Sequence, residues 1–344
     1  MGDPLPEDVV RGMMLIRANM LARGCSGVRP ALAATLIAML NAGVLAVRAA
    51  ENLPAHAQVA AALSLEALSG LSAAFDPDLH EAGGQPGQAR VAARIRDLVG
   101  GSRLVDSDPE RLQDAYSLRC TPQVLGPAVD AIAFLRARFS IALNAATDNP
   151  LIFPDGRGSY RSLSGDNFHG QGPAMWLDFL GIAMAEVAGI AERRVFRLLT
   201  PELSGGLPAM LVPTSGLDSG LMMAQYTAAA LVSDNKTLAH PDSVDSISSC
   251  ANQEDHVRMG ANAARHTLEI LDNVRRVLVI ELLAAAQAVD LRPDGLARLG
   301  RGTAKAYAEV RRRVRRLDHD RELASDIEAL AALIQSGGIL AAIR

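Results

Sequence analysis

The sequence predicts an all-α protein built as a bundle of long helices. Aromatic residues make up only 3% of the 344 residues, and β-branched residues rarely alternate with polar ones. Alanine, leucine, arginine and glutamate dominate, a composition that favours helices over strands. Three stretches rich in Ala, Leu, Met and Val contain no proline and can hold very long helices; they run between Pro173 and Pro201, Pro213 and Pro241, and Pro241 and Pro293.

Helix boundaries follow from proline at the start of a run and glycine just past its end. Pro30 therefore predicts a helix that ends at residues 41–43, and Pro293 predicts another that starts near Asp294. Residues 221–231 are apolar on nearly all sides, so we expect them inside a bundle or at a subunit interface.

The segments between these runs have turn-forming composition, at residues 83–87, 148–150, 154–156 and 204–206. No internal repeat, low-complexity tract or linker requires a domain boundary. We therefore expect residues 1–344 to form a single helical domain.

Composition excludes several classes of function. The net charge of -4 gives no basic surplus for nucleic acid, and charged residues interrupt every apolar run before it could span a bilayer. Residues 1–4 lack the features of an export signal. Cys25, Cys120 and Cys250 are far apart and form no CxxC pair, which argues against a zinc site and favours a reducing cytoplasm.

A first candidate site lies at Gln113, Tyr116 and Arg119, which recur at every third residue and could share one side of a helical turn. Arginine can grip a carboxylate with two hydrogen bonds, while the tyrosine hydroxyl and glutamine amide can bind other polar groups. Such a face could hold an amino acid. A solvated helix end is the alternative interpretation.

A second candidate is the glycine-bracketed turn at residues 164–170, which precedes a predicted long helix. It offers the aromatic face of Phe168 and the amide of Asn167 to a ligand. His169 in such a turn is commonly a hydrogen-bonding loop residue.

Residues 252–256 form a third candidate, with Glu254 as a possible acid or base beside Gln253. An exposed helix start explains the same polar run. The spacing does not support metal binding by His256 and the carboxylates. Lys236, near the end of an earlier helical run, is explained by capping.

Together, these segments and several others resemble the histidine and aromatic amino-acid ammonia-lyase family, and they occur in the same order. The similar segments are residues 21–30, 61–68, 113–123, 148–151, 165–170, 191–194, 235–241 and 251–257. Asp234 departs from the glutamate that the family has before Asn-Lys.

This resemblance implies a homotetramer of long helices whose active sites combine residues from several subunits and eliminate ammonia from an amino acid. It implies that Arg119 holds the substrate carboxylate and that Gln113, Tyr116 and Phe168 line the pocket, with Asn167 as a further binding residue. Glu254, after Gln253, matches the glutamate placed near the imidazole by histidine-specific members. The resemblance therefore favours histidine as substrate and names Tyr116 and Glu254 as catalytic residues.

One part of the family pattern is missing. Elimination of ammonia needs a strong electron sink, which ordinary side chains do not supply. The family makes a methylidene-imidazolone from an internal Ala-Ser-Gly, but here the chain passes from Val44 almost directly to Arg48, so we predict a deletion near residues 44–48. The N-terminal part with the family's catalytic tyrosine is also absent. Residues 25–27 and 214–216 contain Ser-Gly pairs but do not match the electrophile position, so no cofactor is assigned.

Three interpretations stay open. The chain could be an impaired or inactive lyase, or an active enzyme of the same fold whose chemistry needs no electrophile and uses Tyr116 or Glu254. Alternatively, it could be a helical scaffold that partners a full-length lyase subunit.

Overall fold

The computed structural model describes residues 30–147 and 149–344, with side chains from residue 39 onward, and it is predominantly helical. The helices are α1 (Pro30–Ala67), α2 (Pro77–Gly83), α3 (Pro86–Leu98), α4 (Tyr116–Arg119), α5 (Thr121–Leu143), α6 (Gln171–Leu199), α7 (Pro201–Ser204), α8 (Met222–Leu238), α9 (Gly260–Leu291), α10 (Arg301–Arg311), α11 (Ala324–Gln335) and α12 (Gly338–Ala342). The all-α prediction is confirmed. Short 3-10 turns join several of these helices.

The three proline-free stretches are helical as expected, since they contain most of α6, α8 and α9. Lys236 lies in the last turn of α8, where its charge suits the helix dipole. Two predicted boundaries are wrong. Helix α1 continues through Gly43 to Ala67, and the turn after Pro293 reaches the next α-helix only at Arg301.

Both errors have a physical cause. A Cβ on Gly43 would lie 2.2 Å from the Phe139 ring, so this glycine serves close helix packing inside α1. Asp294 has a left-handed φ of 52°, which no helix interior adopts, and a Cβ on the next residue, Gly295, would lie 2.1 Å from a backbone carbonyl.

A two-stranded antiparallel hairpin interrupts the helices. Strand β1 (Leu151–Pro154) pairs with β2 (Tyr160–Leu163), with Leu151 opposite Leu163. The turn begins at residues 154–156, where turn-forming residues were predicted, although the strands themselves were not. Asp148, beside the hairpin, lies outside the described residues, as do residues 21–29 and Cys25.

The residues group into two compact units. Unit 1 comprises residues 1–48, 131–182 and 238–269, and unit 2 comprises residues 49–130, 183–237 and 270–344. The core of unit 1 includes Leu135, Phe139 and Leu177, while that of unit 2 includes apolar residues from α1 and the second half of α9. A single domain over residues 1–344 stays a prediction.

Helix α6 is long and apolar enough to cross a membrane by length and composition, but 56% of its most apolar window is buried inside the structure, as in a core helix.

In α8, Ala224 and Ala228 are buried whereas Met223 and Tyr226 are exposed. The chain therefore does not enclose this apolar helix by itself, and a subunit interface stays the prediction for it.

Candidate functional site

The first group of candidate residues lies in unit 2, around the one-turn helix α4. Tyr116 and Arg119 share this turn, but Gln113 lies in the extended segment before it, so the prediction that all three share a helical turn is wrong for Gln113. The cause is Asp114, whose carboxylate accepts a 2.6 Å hydrogen bond from the backbone N–H of Leu71 and holds this segment extended.

Arg119 combines a stacked guanidinium with a buried, unpartnered donor. Its guanidinium stacks on the Tyr116 ring, 4.4 Å from the ring centre. The Nε of Arg119 is buried and has no hydrogen-bond partner among the described residues. A buried donor without a partner is costly, and a ligand carboxylate would satisfy it with a charge-assisted hydrogen bond.

Gln113 instead lines a small cavity of about 260 Å³. The lining is strongly charged, and its arginines are Arg111 and Arg197. Both are already engaged, because Arg111 donates to the carbonyl of Leu68 and Arg197 to that of Leu203. Gln113 therefore does not join Tyr116 and Arg119 around this cavity.

A buried ion pair, which the sequence did not predict, contacts α4. Arg194 of α6 and Glu281 of α9 are both fully buried, and their side chains meet through hydrogen bonds of 2.5 and 2.9 Å. Ser64 of α1 donates to the same carboxylate. Arg194 belongs to the family-like segment 191–194, but its partner lies 87 residues away, and no local pattern points to it.

The second group of candidates lies in unit 1, where loop 164–170 precedes α6 as predicted. The Asn149 side-chain oxygen accepts hydrogen bonds from the backbone N–H groups of Gly165 and Asp166. The exposed Asn167 amide donates to a backbone carbonyl, that of Ala146, at 3.2 Å. Phe168 is half-buried. These contacts hold the loop in place, and Phe168 stays partly accessible to solvent.

Glu254 lies in a tightly wound loop rather than at a helix start, six residues before α9. Cys250, Ala251 and Asn252 all have left-handed φ angles, a strained backbone often found at functional sites. The Glu254 carboxylate accepts a 3.0 Å hydrogen bond from the Ser249 hydroxyl. Gln253 and Glu254 are both exposed, so ligands can reach them.

Glu254 has a cationic neighbour in Arg258. Burial lowers the pKa of the Arg258 guanidinium, and Coulombic attraction to the Glu254 carboxylate opposes that effect.

His169 connects the two loops of unit 1. Its Nε2 lies 2.9 Å from the backbone carbonyl of His256, and the two imidazole rings stack 5.9 Å apart. The structure thus brings Asn167 and Phe168 into one connected region with Gln253 and Glu254. Within residues 30–147 and 149–344, no three His, Cys, Asp or Glu residues form a metal-binding group.

Of the two Ser-Gly candidates for an electrophile, one lies among the described residues. Residues 25–27 lie outside the described residues. In the other candidate, the Thr214 carbonyl closes an exposed turn by accepting the N–H groups of Leu217 and Asp218. Ser215 and Gly216 are exposed there, and no atom within 4 Å would meet a Cβ on Gly216, so the space beside this glycine is open.

Comparison with known proteins places these residues in a family. The family model for aromatic amino acid lyases matches residues 1–47 and 42–312. Histidine ammonia-lyase of Geobacillus kaustophilus is 43% identical over 407 residues, covering 96% of this chain and 80% of that protein. Histidine ammonia-lyase of Shouchella clausii is 50% identical over 307 residues, covering 89% of this chain and 60% of that protein.

Solved structures agree with these sequence comparisons. The crystal structure of histidine ammonia-lyase from Trypanosoma cruzi has a TM-score of 0.81 and 42% identity, covering 89% of this chain. Tyrosine aminomutase from Streptomyces globisporus has a TM-score of 0.83 and 38% identity, also covering 89%. The chain spans only 57% of the first of these structures and 61% of the second.

Proposed function

Because the chain belongs to the aromatic amino acid lyase family and is similar to its histidine ammonia-lyases, we propose that it binds L-histidine but does not release ammonia from it. Arg119 holds the substrate carboxylate, beside Tyr116. Glu254 and Gln253 bind the imidazole of the substrate, and Phe168 and Asn167 line the pocket. Since the family combines residues from several subunits, the residues of one site need not come from one chain.

The observation that carries the binding half of this proposal is the buried, unpartnered Nε of Arg119. Its guanidinium is already oriented by the Tyr116 ring, so little side-chain freedom is lost when a carboxylate binds. Tyr116 itself is 69% exposed, which leaves this surface open to a ligand.

The second half of the proposal rests on the missing electrophile. The family match divides in two at residues 42–47, and the alignment to the Geobacillus protein runs over 407 residues, more than the 344 of this chain. The alignment length supports an internal deletion relative to that protein, and the divided family match supports its position near residues 42–47. Without the methylidene-imidazolone, no side chain among the described residues supplies the electron sink that the elimination requires.

Calorimetric titration with L-histidine and an assay for urocanate and ammonia test both halves. We expect saturable binding without product. Arg119→Ala should weaken binding at least tenfold, since a charge-assisted hydrogen bond contributes roughly 1.5–3 kcal/mol. Arg157→Ala, which alters an exposed arginine of the hairpin turn, is the matched control and should bind as wild type does.

Two outcomes contradict the proposal. Urocanate production by a chain of the sequence mass would show that elimination needs no Ala-Ser-Gly electrophile here. Equal histidine affinity of wild type and Arg119→Ala would remove Arg119 from the site.

We also propose a homotetramer as the assembly and the cytoplasm as the compartment. The exposed apolar side chains of Met223 and Tyr226 on α8 support an assembly of several chains. Cys120 and Cys250 are free thiols, in keeping with a reducing compartment.

A further inference from the structure

The guanidinium of Arg194 connects the buried ion pair to the candidate site. Besides its two bonds to Glu281, its Nη1 donates to the backbone carbonyl of Ser117, at 3.2 Å, and lies 3.4 Å from the Thr121 hydroxyl. Ser117 lies inside α4, between Tyr116 and Arg119. A fully buried charge from α6 thus holds the one helical turn that carries both binding residues.

Helix α4 depends on such a contact. It has only four residues and no side-chain cap at its N-terminus, and a single turn is unstable in isolation because nucleation costs more than one hydrogen bond returns. Backbone N–H groups at the end of this turn donate hydrogen bonds to the carbonyls of Ala115 and Tyr116. The external donors at Ser117 therefore fix where this turn lies and how its side chains point.

The same contact keeps Arg119 available. Arginines near a helix C-terminus commonly bind the last free carbonyls of their own helix. Here the carbonyl of Ser117 already accepts two hydrogen bonds, from Nη1 of Arg194 and from the Thr121 hydroxyl, which uses both of its lone pairs. Arg119 cannot cap that carbonyl, and its Nε stays without a partner.

We infer that Arg194, held by Glu281, is a positioning residue: it orders α4 and saturates the Ser117 carbonyl, so that Arg119 stays free for a ligand carboxylate. The effect on ligand binding rests on the proposed function, whereas the ordering of α4 does not. Well-packed apolar residues can often replace a buried ion pair at little or no cost in stability, so the two charges can be removed together.

The decisive variant is the double substitution Arg194→Met with Glu281→Leu, which removes the charges together and keeps the volume. Hydrogen–deuterium exchange of a peptide covering residues 112–122 reports on α4, and peptides of α10, which carries neither substitution, report on global folding. We expect exchange in α4 to become at least tenfold faster while α10 keeps its wild-type protection. Histidine affinity should fall at least tenfold.

Two single variants complete the set. Ser64→Ala removes a hydrogen bond to the same Glu281 carboxylate but leaves the Arg194 contact to Ser117, so α4 should exchange as in wild type. Arg194→Lys keeps the charge, but a compact ammonium lacks the fork that reaches Glu281 and Ser117 together. If the double variant does not fold, this lysine variant provides the same comparison.

Wild-type exchange in α4 of a folded double or lysine variant would overturn the inference. Faster exchange with unchanged histidine affinity would overturn the link to binding. If wild type and Arg119→Ala bind histidine equally, or neither binds, the proposed function fails, and the exchange measurement still decides whether Arg194 orders α4.

Discussion

Arg119 combines two contributions that prepare it for an anion. Stacking of its guanidinium on Tyr116 contributes about 0.5–1 kcal/mol at an exposed site and fixes the plane of the fork. Its unpartnered Nε adds a cost that a ligand carboxylate would relieve. Affinity then comes from relief of that cost as much as from the new contact.

Glu66 is a second buried group with an unusual environment. It is fully buried at the end of α1, and its Oε1 accepts a 2.6 Å hydrogen bond from the backbone N–H of Gly300. Burial raises the pKa of the Glu66 carboxyl above its ordinary value of 4.5, although hydrogen bonds from Ser102, Thr303 and Gly300 oppose the shift. The folded protein therefore keeps this proton to a higher pH than the unfolded chain does.

The sign of the pH dependence follows from that difference. Above pH 4.5 the unfolded chain releases the Glu66 proton while the folded protein retains it, so stability falls as pH rises toward the raised pKa. Glu66→Gln removes this pH-dependent loss of stability. It also keeps a side-chain oxygen that can accept the hydrogen bond from the backbone N–H of Gly300. We expect the melting temperature of the variant, relative to wild type, to increase from pH 4.5 upward in thermal denaturation.

Glu110→Gln, in an exposed turn, is the matched control for Glu66→Gln and should show no such trend. A constant difference in melting temperature across the pH range would contradict a raised pKa at Glu66.

Among the elements, the close contact between α1 and α5 in unit 1 depends on Gly43. A Cβ at that position would lie 2.2 Å from the Phe139 ring. The ring cannot move freely, because Phe139 is buried and packs edge-on against Trp176, with 5.4 Å between ring centroids. The glycine is therefore required by packing, despite its low helix propensity.

Gly43→Ala should consequently lower the free energy of unfolding by about 1–3 kcal/mol, the usual effect of overpacking a core. Gly189→Ala, in α6, is the matched control: no atom lies within 4 Å of its added Cβ, so it should stabilise the protein by up to about 1 kcal/mol. Chemical denaturation measures both changes.

A smaller side chain at position 139 provides the complementary test of this contact. In the background of Phe139→Leu, Gly43→Ala should cost less than it does in wild type. Equal costs in the two backgrounds would show that the ring of Phe139 does not limit space at Gly43.

These elements also show how far the sequence could predict the structure. Helices α6, α8 and α9 were predictable because each occupies a long apolar stretch without proline, a local property. The end of α1 was not, since residues 41–43 have helix-ending composition and only the distant Phe139 shows that Gly43 serves packing.

The candidate site shows the same division between local and long-range information. Phe168 was predictable as a loop residue from its own segment, and the shared turn of Tyr116 and Arg119 from their spacing. The loop at Glu254 was not, because its polar run equally suits the start of a helix. The extended path at Gln113 depends on the hydrogen bond between Asp114 and Leu71, 43 residues apart. The Arg194–Glu281 pair depends on a similar long-range contact, which spacing within one segment cannot reveal.

For the whole molecule, the fold of the family and the Ala-Ser-Gly segment of the family are separable. The chain keeps a lyase-like arrangement, with a TM-score of 0.81 to the Trypanosoma cruzi structure, although it lacks the Ala-Ser-Gly that the family converts into its electrophile. Helix α1 runs without a break through residues 44–48, where the deletion is predicted. The helix thus bridges the point at which an electrophile segment would have to enter.

This separation predicts the covalent state of the purified protein. Formation of a methylidene-imidazolone expels water from the backbone and from a serine side chain, so a chain that makes one is lighter than its sequence. We expect an intact mass equal to that of the unmodified chain, because Ser215 and Gly216 lie in an exposed turn that is open to solvent. A dehydrated species that disappears in Ser215→Ala would place the electrophile at residues 214–216, whereas one that persists would place it elsewhere; either result would return the chain to the active lyases.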